Sequence, residues 1–433
     1  MLAAQVSRLT RRVFYGWWIV LAGSVAMAMS GGLFFVGVGF FFEPIRQHFG
    51  WSRTILSGAY SLARVGKSAF GPFEGYLIQR FGPRTVMTVA FVAFGLGFVL
   101  LSRASSILTF YLAFFVLATA SETAGFSSVM ASINNWFRVK RARAVGFAMM
   151  GMGLGGVIFP PILAFGFDNF SWRTVSLASG IFVVVVGVIV ARFVRYNPEP
   201  YGYLPDGGRS NTIGRPIPAS KRTAATGSRP RDVPTEYDFG VVEALKTRAF
   251  WLMSIGHAQA LLVVSVISLH QVPYLETELG FSRASAASVV MVLTAVNMFG
   301  QMAGGFLGER FPKNYVAAAT MLGHSVALFV LATADSYSQV MVSTVIQGLA
   351  WGVRSPVLTS MRGDYFGRRS FAVIMGFSHG VAMLGMIVGP LLGGYFADHF
   401  SYSLGFKVIA ACTAPGFLLF VFLRNPRPKT MNP

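Results

Sequence analysis

Apolar runs long enough to cross a bilayer recur twelve times along this chain, broken by short polar turns. About 30 Å of hydrocarbon needs roughly 20 helical residues at about 1.5 Å each, so each run predicts a transmembrane helix. The first six begin near Tyr15 to Phe42, Thr54 to Gln79, Thr85 to Leu101, Ile107 to Ile133, Ala144 to Phe167 and Thr174 to Val194. The second six lie near Ala249 to Val272, Ala284 to Leu307, Tyr315 to Ala334, Ser338 to Met361, Phe371 to Ala397 and Leu404 to Leu423. The expected fold is an all-α integral membrane protein of twelve transmembrane helices.

Charge supports that reading. Only 12% of the 433 residues are charged, yet the formal net charge is +20, which in a soluble chain would raise the question of nucleic acid. Here its placement decides. With an even number of spans and both termini cytoplasmic, 27 Lys and Arg fall on the cytoplasmic side, against six on the other: Arg46, Arg53, Arg103, Arg173, Arg283 and Lys407. This is the positive-inside rule, so the basic balance reports topology rather than a nucleic-acid partner. The expected site is the plasma membrane, the inner membrane in a Gram-negative cell. The first run is too long for a signal h-region and continues into another span. Cys412 is the single cysteine, so no disulfide forms within the chain.

The second half repeats the first at one constant offset. Gly50-Trp51-Ser52-Arg53 returns as Gly280-Phe281-Ser282-Arg283, Gly146 and Pro160 return as Gly376 and Pro390, and Asp168 returns as Asp398. Residues 1–194 and 248–433 are therefore expected to be pseudo-symmetric six-helix halves. Residues 195–247, with seven prolines and eight Lys or Arg, read as a basic cytoplasmic linker. Within it, Asp238 to Lys246 carries an apolar helical side that predicts a short interfacial helix.

The segment Gly75-Tyr76-Leu77-Ile78-Gln79-Arg80-Phe81-Gly82-Pro83-Arg84 follows the second span, and Gly305-Phe306-Leu307-Gly308-Glu309-Arg310-Phe311 follows the eighth. With the two-half layout, these motifs resemble the major facilitator superfamily over essentially the whole chain. The resemblance implies a secondary transporter whose spans one, four, seven and ten line a central cavity. It also implies a cytoplasmic conformational lock at Gly75, Arg80, Gly82, Arg84, Gly305, Glu309 and Arg310. Gln79 stands where the motif expects an acid, so the first-copy lock is expected to be weaker or to use Glu74. Arg138 to Arg143 and Arg368-Arg369 resemble the branch of monocarboxylate and oxalate/formate porters. That branch implies cations on spans eight and eleven, where this chain has Thr294, Asn297 and His379.

Other patterns exclude enzymatic classes. Gly151, Gly153 and Gly156 match G-x-G-x-x-G without the strand that a dinucleotide site needs, and Gly66-Lys67-Ser68 lacks the leading glycine of a phosphate loop. Small residues at Gly151 and Gly155 favour close helix packing instead. The histidines have no metal-ligand spacing, and no cofactor is expected.

Ionisable groups inside a span cost about 2.5–3.5 kcal/mol each on insertion scales and so call for a partner, a wet cavity or a function. Arg64, Lys67, Glu122 and Arg354 are of this kind, and none has a charged counterpart in the repeat. Arg354 is the candidate carboxylate grip, with Arg64 and Lys67 adding positive field. Glu122 is either a proton carrier or the structural partner of Arg64 or Lys67. His257, Gln259, Asn297 and His379 are secondary candidates for substrate contact. The leading expectation is alternating-access transport of a small organic anion, a monocarboxylate, with coupled protons; an exporter of lipophilic or cationic compounds and a non-transporting sensor are the rivals.

Overall fold

The computed structural model describes residues 14–51, 53–207 and 237–426, and the twelve runs are helices. Span 1 comprises Tyr15–Met29, a π-helical segment Ser30–Val36, and Val38–Phe49. Spans 2 and 3 are Arg53–Phe81 and Pro83–Ser102. Span 4 comprises Ile107–Glu122, a π-helical segment Thr123–Ser127, and Ser128–Trp136. Spans 5 and 6 are Arg141–Asn169 and Trp172–Ala191. Spans 7 to 9 are Arg248–Thr277, Arg283–Arg310 and Lys313–Ala332. Spans 10 and 11 are Tyr337–Phe366 and Phe371–His399, and span 12 comprises Tyr402–Thr413 and Gly416–Val421. Among the described residues, ten helices are long and apolar enough to cross a membrane. Span 10 falls outside that group because Gln339, Gln347, Arg354 and Arg362 dilute its apolar content.

Local chemistry sets the helix ends. Gly50 and its repeat counterpart Gly280 both take positive φ (69° and 67°), a conformation that suits glycine. Ser106, Ser171, Thr247, Ser282 and Ser401 cap helix starts by accepting from the backbone N–H three residues on. In the linker, the helix expected over Asp238 to Lys246 is a short one, Val241–Leu245, whose Glu243 carboxylate accepts from the Gly240 N–H at 3.2 Å.

The repeat is visible in the packing. Span 1 lies on span 5 and span 7 on span 11, span 3 on span 6 and span 9 on span 12, and span 2 on span 4 and span 8 on span 10. The halves meet through span 2 with span 11 and span 5 with span 8, two seams exchanged by the pseudo-symmetry. We call the face of the helix bundle that carries residues 192–207 and 237–247 the linker side. The motif glycines seal both seams there. A Cβ on Gly75 would collide with the Ala372 carbonyl oxygen, and one on Gly305 would stand 2.9 Å from Arg143 Cα. Backbone meets backbone at each, so only glycine fits.

The linker's two ends are tied to equivalent loops. Asp206 accepts from the backbone N–H groups of Arg138, Val139 and Lys140 at 2.9–3.0 Å. Asp238 accepts from those of Arg368 and Arg369 at 2.6 and 3.2 Å. Arg138 and Arg368 are themselves counterparts in the repeat.

Overpacking such a contact costs roughly 1–3 kcal/mol, which corresponds to a population shift of roughly 5- to 150-fold. Gly75→Val and Gly305→Val should each disfavour linker-side closure by that amount. The readout is the yield of a disulfide between cysteines introduced as Gln79→Cys and Arg369→Cys, which should fall in either valine variant at unchanged membrane insertion.

Candidate functional site

A cavity of about 180 Å³ lies between the halves. Span 10 presents one face to it: Trp351, Arg354, Ser355, Leu358, Thr359 and Arg362, spaced by three and four residues as one side of a helix requires. Spans 7 and 11 add His257, Leu261, Val264, His379, Met383 and Met386. The first half contributes Phe34 and Phe35 from span 1, Ala118, Glu122 and Phe126 from span 4, and Met149 and Met152 from span 5. Spans one, four, seven and ten therefore line the cavity together with spans five and eleven.

The two guanidiniums dominate its chemistry. Arg354 and Arg362 are each 1% exposed. Arg362 Nε donates to Ser378 Oγ at 3.0 Å, and its Nη2 lies 2.6 Å from His257 Nδ1. That contact requires the ring nitrogen to accept, which places the imidazole proton on Nε2. Ser378 is held in turn by Ser254 at 2.8 Å. Arg354 has no comparable support: among the described residues, neither its Nε nor its Nη1 has a hydrogen-bond partner, and Arg362 Nη1 has none either. Buried guanidinium nitrogens normally find acceptors, so this arrangement leaves donor capacity unspent on residues that border the cavity.

The π-helical segments of spans 1 and 4 face each other beside this site. Ser30 Oγ donates to the Ser121 carbonyl at 2.6 Å across the two spans. Phe34 and Phe35 belong to one segment, and Phe126 to the other, which begins directly after Glu122. Such wide turns are rare and cluster at functional sites. The pseudo-equivalent spans 7 and 10 are uninterrupted α-helices.

The sequence candidates separate clearly. Arg354, Glu122, His257 and His379 share the cavity. The His379 ring lies 5.2 Å from that of Phe126 and 5.5 Å from that of His257. Glu122 and His379 also line a smaller adjoining cavity with Glu74. Gln259 turns the other way, with its Oε1 against Gly416 of span 12. Asn297 is also absent from the cavity lining; its Oδ1 accepts from Gln301 Nε2 at 3.0 Å, one helical turn along span 8. The side chains of Arg64 and Lys67 lie outside the described residues. Arg362 is the site residue that sequence reasoning missed, because the apolar run of span 10 stops at Met361. Its spacing of eight residues from Arg354, two turns on the same face, is the signal that would have found it.

The motif residues expected to form a lock make unequal contacts on the linker side. Glu309 pairs across the seam with Arg143, 2.6 Å from its Nη2, and also accepts from the Arg143 backbone N–H. Arg80, Arg84 and Arg310 are exposed. At the other seam the neutral Gln79 donates from Nε2 to the Arg369 carbonyl at 3.0 Å. A further bridge between the halves centres on Asp364, which binds Arg141 at 2.5 Å as well as Lys313 of its own half. Arg368 pairs with Glu199 of the linker at 2.8 Å, and Asn134 Nδ2 donates to the Gly367 carbonyl at 3.2 Å. All these contacts lie on the linker side, below the cavity.

A sequence profile described as Major Facilitator Superfamily matches residues 19–271 and 253–433. Monocarboxylate transporter 13 of Rattus norvegicus is 24% identical over 441 residues, covering 96% of this chain and 93% of the relative. The oxalate:formate antiporter of Oxalobacter formigenes is 24% identical over 426 residues, covering 95% and 93%. Among solved structures, the human organic anion transporter MFSD10 (TETRAN) superposes with a TM-score of 0.70 at 14% identity, covering 95% of this chain and 99% of that one.

The Arg143–Glu309 pair yields a direct test. Hydrogen bonds to charged groups contribute roughly 1.5–3 kcal/mol, so Glu309→Gln should weaken linker-side closure by at least fivefold. The exchanged pair Arg143→Glu with Glu309→Arg should recover most of it. Protection of a cysteine introduced on the linker side, as Gln79→Cys, from a membrane-impermeant alkylating reagent measures both.

Proposed function

The chain belongs to the major facilitator superfamily, and we propose that it carries a small organic anion, a monocarboxylate, across the plasma membrane by alternating access of its two halves. The observation that carries this reading is the pair of buried guanidiniums. Arg354 lines the cavity with Nε and Nη1 lacking an acceptor among the described residues, and a planar fork of donors matches a carboxylate. Transporters are not enzymes, and the cavity serves binding rather than bond cleavage.

The positive-inside distribution supports placing the linker side and both termini in the cytoplasm. The closed linker side then corresponds to the outward-facing half of the cycle. A carboxylate entering from the far side would meet Arg354 and Arg362 in the cavity floor. Rocking of the halves would then part the Gly75 and Gly305 seams and break the Arg143–Glu309 and Arg141–Asp364 pairs, releasing the anion inward. The names of the relatives, a monocarboxylate transporter and an oxalate:formate antiporter, support an organic anion as cargo. Two guanidiniums facing one lining carboxylate, Glu122, weigh against export of cations. Glu122 and the neighbouring His379 are the candidate carriers of a coupled proton.

Reconstituted into proteoliposomes, the full chain should take up labelled monocarboxylates. Arg354→Ala should reduce uptake at least about 30-fold, by analogy with the roughly 2–5 kcal/mol lost when a buried charge pair loses one partner. Arg354→Lys should recover only part of it. An inward proton gradient should accelerate uptake in the unmodified chain and leave Glu122→Gln unaffected. Uptake that is insensitive to Arg354→Ala would refute the mechanism.

A further inference from the structure

The cavity is divided by half. Both guanidiniums, both imidazoles and the hydroxyls of Ser355 and Thr359 come from the second half. The first half supplies Phe34, Phe35, Ala118, Phe126, Met149 and Met152, and Glu122 is its one charged lining residue among those described. We infer that the transported anion is amphipathic, a carboxylate on an aromatic or branched apolar body, and that compact acids, which leave the apolar wall uncovered, are poor substrates. This rests on the anion reading above.

The two walls set opposite requirements. A carboxylate on Arg354 satisfies donors that otherwise lack acceptors, so one anionic group is well accommodated. A second carboxylate on a short acid, even where the open Arg362 Nη1 takes it, covers none of the first-half wall of rings and thioethers. A compact monoanion such as acetate would bind its head group but leave the apolar wall in contact with water. Each CH₂ that does cover that wall adds about 0.8 kcal/mol, roughly fourfold in affinity.

The wall is also shaped for a flat or branched group. Phe34 and Phe35 meet edge to face at 6.0 Å, and Phe126 faces the imidazole of His379 at 5.2 Å, so ring faces and edges border the space beside the guanidiniums. Ring pairs in these geometries add attraction beyond area burial. Met149 and Met152, with Met383 and Met386 opposite, are flexible thioethers that conform to varied apolar shapes. A set of related bodies on one fixed head group is the specificity this combination produces.

The test is competition against uptake in proteoliposomes holding the full chain, with ligand-induced thermal stabilisation of the detergent-purified protein as a second readout. The probes are acetate, oxalate, 4-methyl-2-oxopentanoate and phenylpyruvate. The branched and aromatic acids should bind at least tenfold more tightly than acetate, and oxalate should not compete. Met152→Trp, which fills the apolar side, should reduce the ratio of phenylpyruvate to acetate affinity at least tenfold. A flat panel with uptake still dependent on Arg354, or oxalate competing as well as phenylpyruvate, overturns the amphipathic assignment and leaves the anion reading standing. No Arg354-dependent uptake or stabilisation by any probe overturns both.

Discussion

A guanidinium held away from water without an ion-pair partner is costly, and among the described residues two of them, Arg354 and Arg362, stand at the centre of this protein. Arg362 is held by a histidine and a serine from neighbouring helices, a neutral cradle that fixes the group without cancelling its charge. Arg354, two turns earlier on the same helix, is left with open donors. An acid partner there would have been more stabilising for the protein on its own. It would also have taken up the interaction that a substrate anion needs, since a site can gain from a ligand only what it has not already spent internally. The site is therefore poised rather than relaxed, and burial in a helix bundle with many apolar contacts is what sustains it.

The same logic of incomplete satisfaction extends to the seams between the halves. Close backbone contact at Gly75 and Gly305 makes the closed arrangement well packed, while the polar contacts beside it are few and unequal. One seam carries the Arg143–Glu309 ion pair and the other a neutral amide bond from Gln79. Strong locks on both would stall the cycle in this state. A mixed pair lets one seam give way with less electrostatic cost, and it makes the balance between states sensitive to ionic strength at one seam more than at the other.

Most of the architecture was legible in the sequence because the bilayer leaves few options. Apolar length located the spans, the distribution of Lys and Arg argued for their orientation, and the offset repeat pointed to two halves. Sites were less legible, for reasons that individual residues make plain. His257 and Gln259 are two residues apart on one helix, about 200° around its axis, so at most one could face the cavity; His257 does. Asn297 Oδ1 accepts from Gln301 a turn away, a local pairing that no apolar-run argument considers. Arg362 was hidden because a charge near the end of an apolar run looks like the start of a loop. Span 10 continues to Phe366 instead, since its last turns are covered by protein rather than lipid. Polarity ends a helix that faces lipid, but not one whose neighbours can take the charge.

The π-helical segments in spans 1 and 4 carry a consequence for the duplicated scaffold. One additional residue in a turn rotates everything beyond it by roughly 100°. Positions beyond such a turn that the repeat offset matches need not be equivalent in direction. Phe126 borders the cavity from a wide turn, while its alignment partner Pro356 lies in a regular helix and is absent from the lining. A duplicated gene could thus acquire two dissimilar walls partly by changing helical phase, without altering every residue that lines them. Comparisons of the two halves by sequence offset alone will pair some side chains that share the cavity, such as Phe34 with Val264, and others that do not, such as Phe126 with Pro356.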